Sequence, residues 1–236
     1  MKAILALDTA ASSLSAALIL GERYWYREAD AGLTHSELLL GLADGLLREA
    51  GIKPADLGAV ACMKGPGSFT GLRIGFAAAK GMALALGIPL FACPTLDCMA
   101  YPWSPWPGLV LPLLDAKKGR FFAALYAGGK RVSGEMDADM ETLSRHIRSG
   151  EGPVLLTGPG APLFLSRLEE SGEPVPGGIR LDPLHRKGRG LELAAVAKER
   201  SIVNNGKGDE LSGPEYLRKS DADYSLGGCV EKSNDR

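Results

Sequence analysis

The sequence predicts an α/β fold in which mixed sheets carry helices on their faces, and three observations support it. In the first hundred residues the pattern runs strand, strand, strand, helix, strand, helix, strand. Hairpins give antiparallel pairs, whereas helical crossovers demand parallel neighbours, so both kinds of pairing must coexist. Hydrophobic residues make up 45% and charged residues 23% of 236 positions, which is enough apolar material for one large domain or two lobes with real cores. Finally, Tyr101 to Gly108 spells YPWSPWPG, where prolines interrupt helix and ladder alike. That segment divides the chain into an N-terminal lobe, 1–104, and a C-terminal lobe, 105–218, before a polar tail, 219–236, with few apolar anchors and an expected lack of order.

The elements follow in order. Strands are expected at 3–7, 14–20 and 23–28, separated by the small and hydroxylated run Asp8-Thr9-Ala10-Ala11-Ser12-Ser13 and by Gly21-Glu22, a hairpin turn. A helix at 36–50 follows Thr34 or His35 and ends at Gly51, a residue suited to a C-terminal cap. Then come a strand at 57–63, a helix at 69–86 stopped by Gly87 and Pro89, a strand at 90–93 and a short helix at 96–100. Past the proline-rich segment, strands are expected at 109–114, 120–126 and 154–157, with helices at 140–148, 162–170 and 191–200.

Charge narrows the function classes. With 27 Lys and Arg against 28 Asp and Glu, a net charge of -1 does not suit a protein that neutralises phosphates by itself, so any RNA contact would be shared with a partner. The apolar start stops at Asp8, too soon for a signal peptide, and no 18-residue apolar run suggests a membrane span. Cys62, Cys93, Cys98 and Cys229 lack paired spacing, and the expectation is a cytoplasmic chain with reduced thiols.

The most informative segment is Lys64-Gly65-Pro66-Gly67-Ser68-Phe69-Thr70-Gly71-Leu72-Arg73, between a strand and a helix. Such a turn aims backbone N-H groups and a helix N-terminus at one spot, which favours an anion, but it equally serves as a tight strand-to-helix connection. It matches neither a Walker A loop nor the dinucleotide fingerprint. Asp8 and its neighbours could hold a phosphate-bound metal at a strand end, or could simply satisfy turn backbone groups. His35 has leucine at the position four residues on, where a helical zinc pair needs histidine, so it is expected to cap the helix. No G-x-S-x-G elbow surrounds Ser12 or Ser68, and the cysteines are read as packing residues. Arg180, His185, Arg186, Lys187 and Arg189 form a basic stretch, either a solvated loop or a phosphate contact.

Two stripes of small residues bear on partners. On the first helix Leu39, Ala43, Leu46 and Ala50 should face the sheet, leaving Leu38, Gly41, Leu42 and Gly45 on another face. Each interior glycine costs about 1 kcal/mol relative to alanine, a cost that close approach by another helix would offset. On the second helix Gly71, Gly75 and Ala79 repeat that spacing. The stripes either meet each other inside the lobe or form a docking face.

The strings GPGSFTGLRIGFAAAKGMALALGIPL, LALDTAASSLSAAL and HSELLLGLADGLLREAG, with a closing Pro214-Glu215-Tyr216-Leu217-Arg218, resemble the TsaB family, also called YeaZ. The resemblance implies a two-lobed fold like actin and the sugar kinases, of the ribonuclease H-like kind. It also implies a non-catalytic subunit that docks on TsaD, with the ATPase TsaE joining, to support N6-threonylcarbamoyladenosine formation at adenosine 37 of tRNAs reading codons that begin with A. Contact with tRNA would then be made only through the complex, and a homodimer would form in isolation. Where TsaD carries an H-x-x-x-H metal motif, this chain has Thr95-Leu96-Asp97-Cys98-Met99, so no metal ligand and no catalytic residue is expected. The second-lobe hairpin, Leu114-Asp115-Ala116-Lys117-Lys118-Gly119, keeps one glycine of a phosphate loop.

Asp8, Thr9, Gly158 and Gly160 remain as a weak nucleotide site, with Gly65, Gly67, Ser68, Gly71 and Arg73 as the accompanying loop. No tightly bound cofactor is expected, and ATP or ADP with Mg2+ would sit at the partner interface. Docking is assigned to Leu38, Gly41, Leu42, Gly45, Gly71, Gly75 and Ala79. The alternatives are an independent kinase-like or peptidase-like enzyme and a free-standing nucleotide-binding module.

Overall fold

The computed structural model describes residues 2–30, 35–150, 152–172, 178–183, 188–209 and 212–218. Thr34, His185, Arg186, Lys187, Cys229 and the tail 219–236 lie outside the described residues. Strand β1 (Ala3–Asp8) is buried along its whole length. Its side chains alternate between two cores, Ala3, Leu5 and Leu7 on one face and Ile4 and Ala6 on the other, as the two-residue period of a strand requires.

Around it come β2 (Ser13–Leu20), β3 (Arg23–Asp30), α1 (His35–Ala50), β4 (Leu57–Gly65), α2 (Phe69–Leu86) and β5 (Leu90–Pro94). The sheet order is β3-β2-β1-β4-β5, antiparallel where hairpins connect the strands and parallel where helices do. Helix α2 starts on Ser68, whose hydroxyl accepts the Gly71 N-H, and stops at Gly87 in the left-handed region. Leu39, Ala43 and Leu46 of α1 and Phe76, Ala79 and Ala83 of α2 share one core on the same face of the sheet.

The second half adds α3 (Thr95–Ala100), β6 (Leu109–Asp115), β7 (Arg120–Ala123), β8 (Tyr126–Ala127), β9 (Lys130–Arg131), β10 (Met136–Asp139), α4 (Met140–Ser149), β11 (Val154–Thr157), α5 (Ala161–Glu170), β12 (Ile179–Leu181) and α6 (Gly190–Val203). The main path of its sheet, β10-β7-β6-β11-β12, repeats the pairing scheme of the first, and β8 and β9 extend it from β6. Helices α4 and α5 cover one face. The other receives Leu96, Met99 and Ala100 of α3, together with Trp103 and Trp106 from the proline-rich segment.

Two differences from the expected layout have plain causes. The strand expected at 120–126 is broken into β7 and β8. Its partner strand β6 carries Pro112 beside the break, and proline has no N-H to give the ladder. Helix α6, expected in the 105–218 lobe, instead packs Leu193, Ala194 and Ala197 against Ile4, Ala6, Ala59 and Ala61 of the first sheet. That sheet is apolar on both faces and needs a second cover, which the chain supplies by returning at its end.

Candidate functional site

The turn after β1 is a junction. Asp8 is buried, and its Oδ1 accepts the Ala10 N-H at 3.0 Å. Its Oδ2 accepts the Arg189 N-H at 2.7 Å and the Ser15 hydroxyl at 3.3 Å, while the Ser15 oxygen accepts the Gly190 N-H at 2.9 Å. The first N-H groups of α6 thus have Asp8 and Ser15 as their acceptors, where a helix N-terminus favours negative charge. Burial pushes the Asp8 carboxyl above its ordinary value, and the N-H groups of Arg189 and Ala10 and the Ser15 hydroxyl work against that push.

The next three residues bond the starts of two helices, α2 and α1. Thr9 donates its hydroxyl to the Gly71 carbonyl at 2.7 Å, in the first turn of α2. The Ala10 carbonyl accepts the Ser68 N-H at 2.7 Å, and the Ala11 carbonyl lies 3.1 Å from His35 Nε2. His35 therefore pins the start of α1 to this turn through its ring.

The glycine loop packs against the same turn. A Cβ at Gly67 would lie 2.6 Å from the Ala10 carbonyl, so close approach, and not a positive φ, is what demands glycine there. Positive φ belongs to Gly65, at 123°, beside a cis bond to Pro66. Two N-H groups that an anion would use, those of Ser68 and Gly71, are taken by Ala10 and by the Ser68 hydroxyl. Arg73 reaches outward and lies 3.8 Å over the Phe69 ring.

Gly158 and Gly160 follow β11 and close onto the first strand of the second sheet, the Gly160 N-H donating to the Leu113 carbonyl at 2.9 Å. The Met99 thioether abuts Gly158, and Thr95 and Met99 are both buried. Residues Asp8 and Thr9 on one side and Gly158 and Gly160 on the other are thus engaged by the chain itself. The Asp115 hairpin holds a tight turn in spite of its lysines, with Lys117 at φ 62° and Lys118 at φ 53°, so side chains did not keep this backbone from the left-handed region. Asp115 accepts the Lys117 N-H at 2.8 Å and pairs with the same lysine's Nζ at 2.9 Å.

The residue missed from sequence is Arg189. Grouped there with a basic loop, it is 2% exposed, its Nη2 lying 3.3 Å from Thr157 Oγ1 and 3.4 Å from Asp182 Oδ2. Its backbone holds Asp8 of the first lobe while its side chain meets Thr157 and Asp182 of the second. A buried arginine needs such partners, and only the glutamate three positions on, Glu192, whose Oε1 lies 3.7 Å from Nη1, marks it in the sequence.

The expected docking stripe divides. Gly71, Gly75 and Ala79 are buried inside the chain, where Thr9 would collide with a Cβ at either glycine, so they are not a free surface. Gly45 is half covered by the Arg27 guanidinium, and Leu42 is half-buried. Leu38 and Gly41 are exposed, as is Leu40, at 56%. On α2 the outward face carries Ala77, Gly81, Leu84 and Ala85, with Leu84 72% exposed. This helix is apolar and long enough to cross a membrane by length and composition, but it buries one flank against the first sheet.

Two similar sheets with shared connectivity, joined through α3 and Arg189, define a two-lobed α/β protein of the actin-like and sugar-kinase-like class. Component A of (R)-2-hydroxyglutaryl-CoA dehydratase from Acidaminococcus fermentans has this fold, with TM-score 0.53 at 12% identity, covering 86% of this chain and 100% of that one. YeaZ from Pseudomonas aeruginosa superimposes with TM-score 0.74 at 25% identity, covering 92% and 100%. The family model of TsaD, tRNA N6-adenosine threonylcarbamoyltransferase, matches residues 29–152. The Bacillus subtilis tRNA threonylcarbamoyladenosine biosynthesis protein TsaB is 29% identical over 231 residues, 93% of this chain and 96% of that one. The chain belongs to the TsaB (YeaZ) branch of the TsaD family.

Proposed function

We propose that this chain is a non-catalytic subunit in the formation of N6-threonylcarbamoyladenosine on tRNA, docking on a TsaD-type partner through the outward faces of α1 and α2. The observation that carries this reading is the apolar ridge of Leu38, Leu40, Gly41, Ala77, Gly81 and Leu84, exposed on two helices that share one face of the first sheet. Small residues on such a ridge let a second helix pair approach closely. The target is adenosine 37 of tRNAs reading codons that begin with A, with tRNA held by the complex and TsaE joining as ATPase. The work is cytoplasmic. ATP or ADP with Mg2+ sits at the partner interface and is not held tightly by this chain alone, because Asp8 and Thr9 are already engaged within it. Without the partner, a second copy covers the same ridge.

The test mixes the purified chain with a TsaD-type protein and measures association and tRNA modification. Leu84→Asp and Leu40→Asp should each weaken association about tenfold or more while the far-UV spectrum and melting temperature stay unchanged, as expected for exposed sites. Unchanged affinity in both variants would reject the ridge. Turnover by the chain alone near 1 per second, within the roughly 1–1000 per second of working enzymes, would favour an independent enzyme. Tight ATP binding without any partner would favour a free-standing nucleotide module.

A further inference from the structure

The segment Pro214–Arg218 crosses from one lobe to the other, and each of its contacts is specific. On the first lobe the Glu215 N-H donates to the Lys64 carbonyl at 2.7 Å, and the Glu215 carboxylate pairs with Lys64 Nζ at 2.6 Å. The Glu215 carbonyl lies against Gly65, where a Cβ would strike it. The Tyr216 ring packs on Phe69 with centroids 4.6 Å apart, and its hydroxyl oxygen accepts Arg73 Nε-H at 3.1 Å. Two residues on, Arg218 reaches the second lobe. Arg218 makes a two-pronged pair with Asp137, Nε to Oδ2 at 2.7 Å and Nη2 to Oδ1 at 2.8 Å, and its Nη1 donates to the Ala116 carbonyl at 2.8 Å. Its guanidinium also sits 5.7 Å from the Phe122 ring centre.

We propose that residues 214–218 are a strap that couples the two lobes, so that the start of α2 and the Asp115–Arg120 hairpin move as one body. The chemistry suits that task. An aromatic pair and an arginine stack hold one end, and a bidentate guanidinium-carboxylate pair, which fixes orientation as well as distance, holds the other. Between them lies a single residue, Leu217, so slack in one anchor is passed directly to the other.

The test uses the full chain and hydrogen exchange resolved by segment. In the contacts given above Tyr216 meets the first lobe and Arg218 the second, so each variant also reads out the lobe on the far side of the strap. Tyr216→Ala should speed exchange about tenfold in the hairpin at 115–122 as well as in 64–73, and Arg218→Ala should do the same in 64–73 as well as in 115–122. If each variant changes only the lobe it touches, the strap is two local contacts and the coupling is refuted. Should either alanine variant fail to fold, Tyr216→Phe, which removes only the hydroxyl bond to Arg73, and Arg218→Lys, which removes the two-pronged geometry, decide by the same comparison.

Discussion

Asp8 and Asp115 occupy equivalent places, each ending the first strand of its sheet, yet they do opposite things. Asp8 is buried under the N-terminus of α6, and its three neighbours in sequence bond α1, α2 and the cap of α2. Asp115 is half-buried and folds back on Lys117 two residues away. Burial pushes the Asp8 carboxyl up and prevails over its hydrogen bonds. At Asp115 burial also pushes the carboxyl up, but the Lys117 side chain and N-H together prevail and hold it below its ordinary value. Topology therefore sets where an acid stands, and what the chain lays over it sets its chemistry. In the first lobe α6 and the glycine loop are laid over it; in the second nothing comparable is among the described residues.

Removing each carboxylate should break this symmetry most visibly. Asp8→Ala leaves the Arg189 and Ala10 N-H groups buried without an acceptor, and unsatisfied buried donors cost about 1–3 kcal/mol each, so a loss of roughly 3 kcal/mol is expected. Asp115→Ala removes a largely local and solvated pair and should cost less than about 1 kcal/mol. Urea unfolding of both variants reads the contrast directly. Equal losses would mean that the junction around Asp8 contributes no more than an ordinary turn.

Much of this architecture is legible in the amino acids, and the limits are physical. Ser68 and Gly87 bracket α2 as cap residues should, and β1, apolar up to its closing Asp8, is covered on both faces. The return of α6 to the first sheet is not local information: Leu193, Ala194 and Ala197 mark a helix face, but no periodicity says which sheet receives it. Nor could spacing choose between Gly71-Gly75-Ala79 and Ala77-Gly81-Ala85, because α2 is apolar or small nearly all round and both rows repeat every four residues. The structure assigns the first row to Thr9 and leaves the second outside. In the same way Asp8 and Thr9 were visible as a pair, but their partners sit 181 and 62 residues away.

Acid should separate the lobes in a second, smaller effect. For Asp137, burial alone would raise the carboxyl, but the bonds from Arg218 and Arg120 prevail and lower it from 3.8. A depressed carboxyl stabilises the fold above its unfolded value and loses that contribution as pH falls through its folded value. Asp8 has the opposite sign: with its folded value raised, the native state holds the proton longer, so its penalty is relieved as pH falls. Below about pH 4, where unfolded aspartates titrate, hydrogen exchange should therefore rise first in 115–122 and 136–139, ahead of β1 and α6. Asp137→Asn should flatten that acid limb. A first lobe that opens before the second would contradict the assigned signs.

The smallest expected effect concerns the helices. Those covering one face of the second sheet, α4 and α5, contain no glycine, whereas α1 carries Gly41 and Gly45 and α2 carries Gly71, Gly75 and Gly81. Thr9 accounts for Gly71 and Gly75, but a Cβ at Gly41 or Gly81 would meet nothing within 4 Å. Inside the isolated chain these two glycines only carry the entropic cost of glycine in a helix, so Gly41→Ala and Gly81→Ala should each stabilise it by roughly 0.5–1 kcal/mol. The sites lie on different helices without shared partners, so the double variant should add within about 0.5 kcal/mol. The denaturant midpoint should rise with an unchanged slope. The same methyl groups stand on the ridge proposed for docking, and if it docks there they should lower affinity for the TsaD-type partner while the monomer gains stability. Opposite signs for folding and association would separate a need for a second helix pair to approach from a packing need, and a loss of monomer stability would show that these faces are already occupied within the chain.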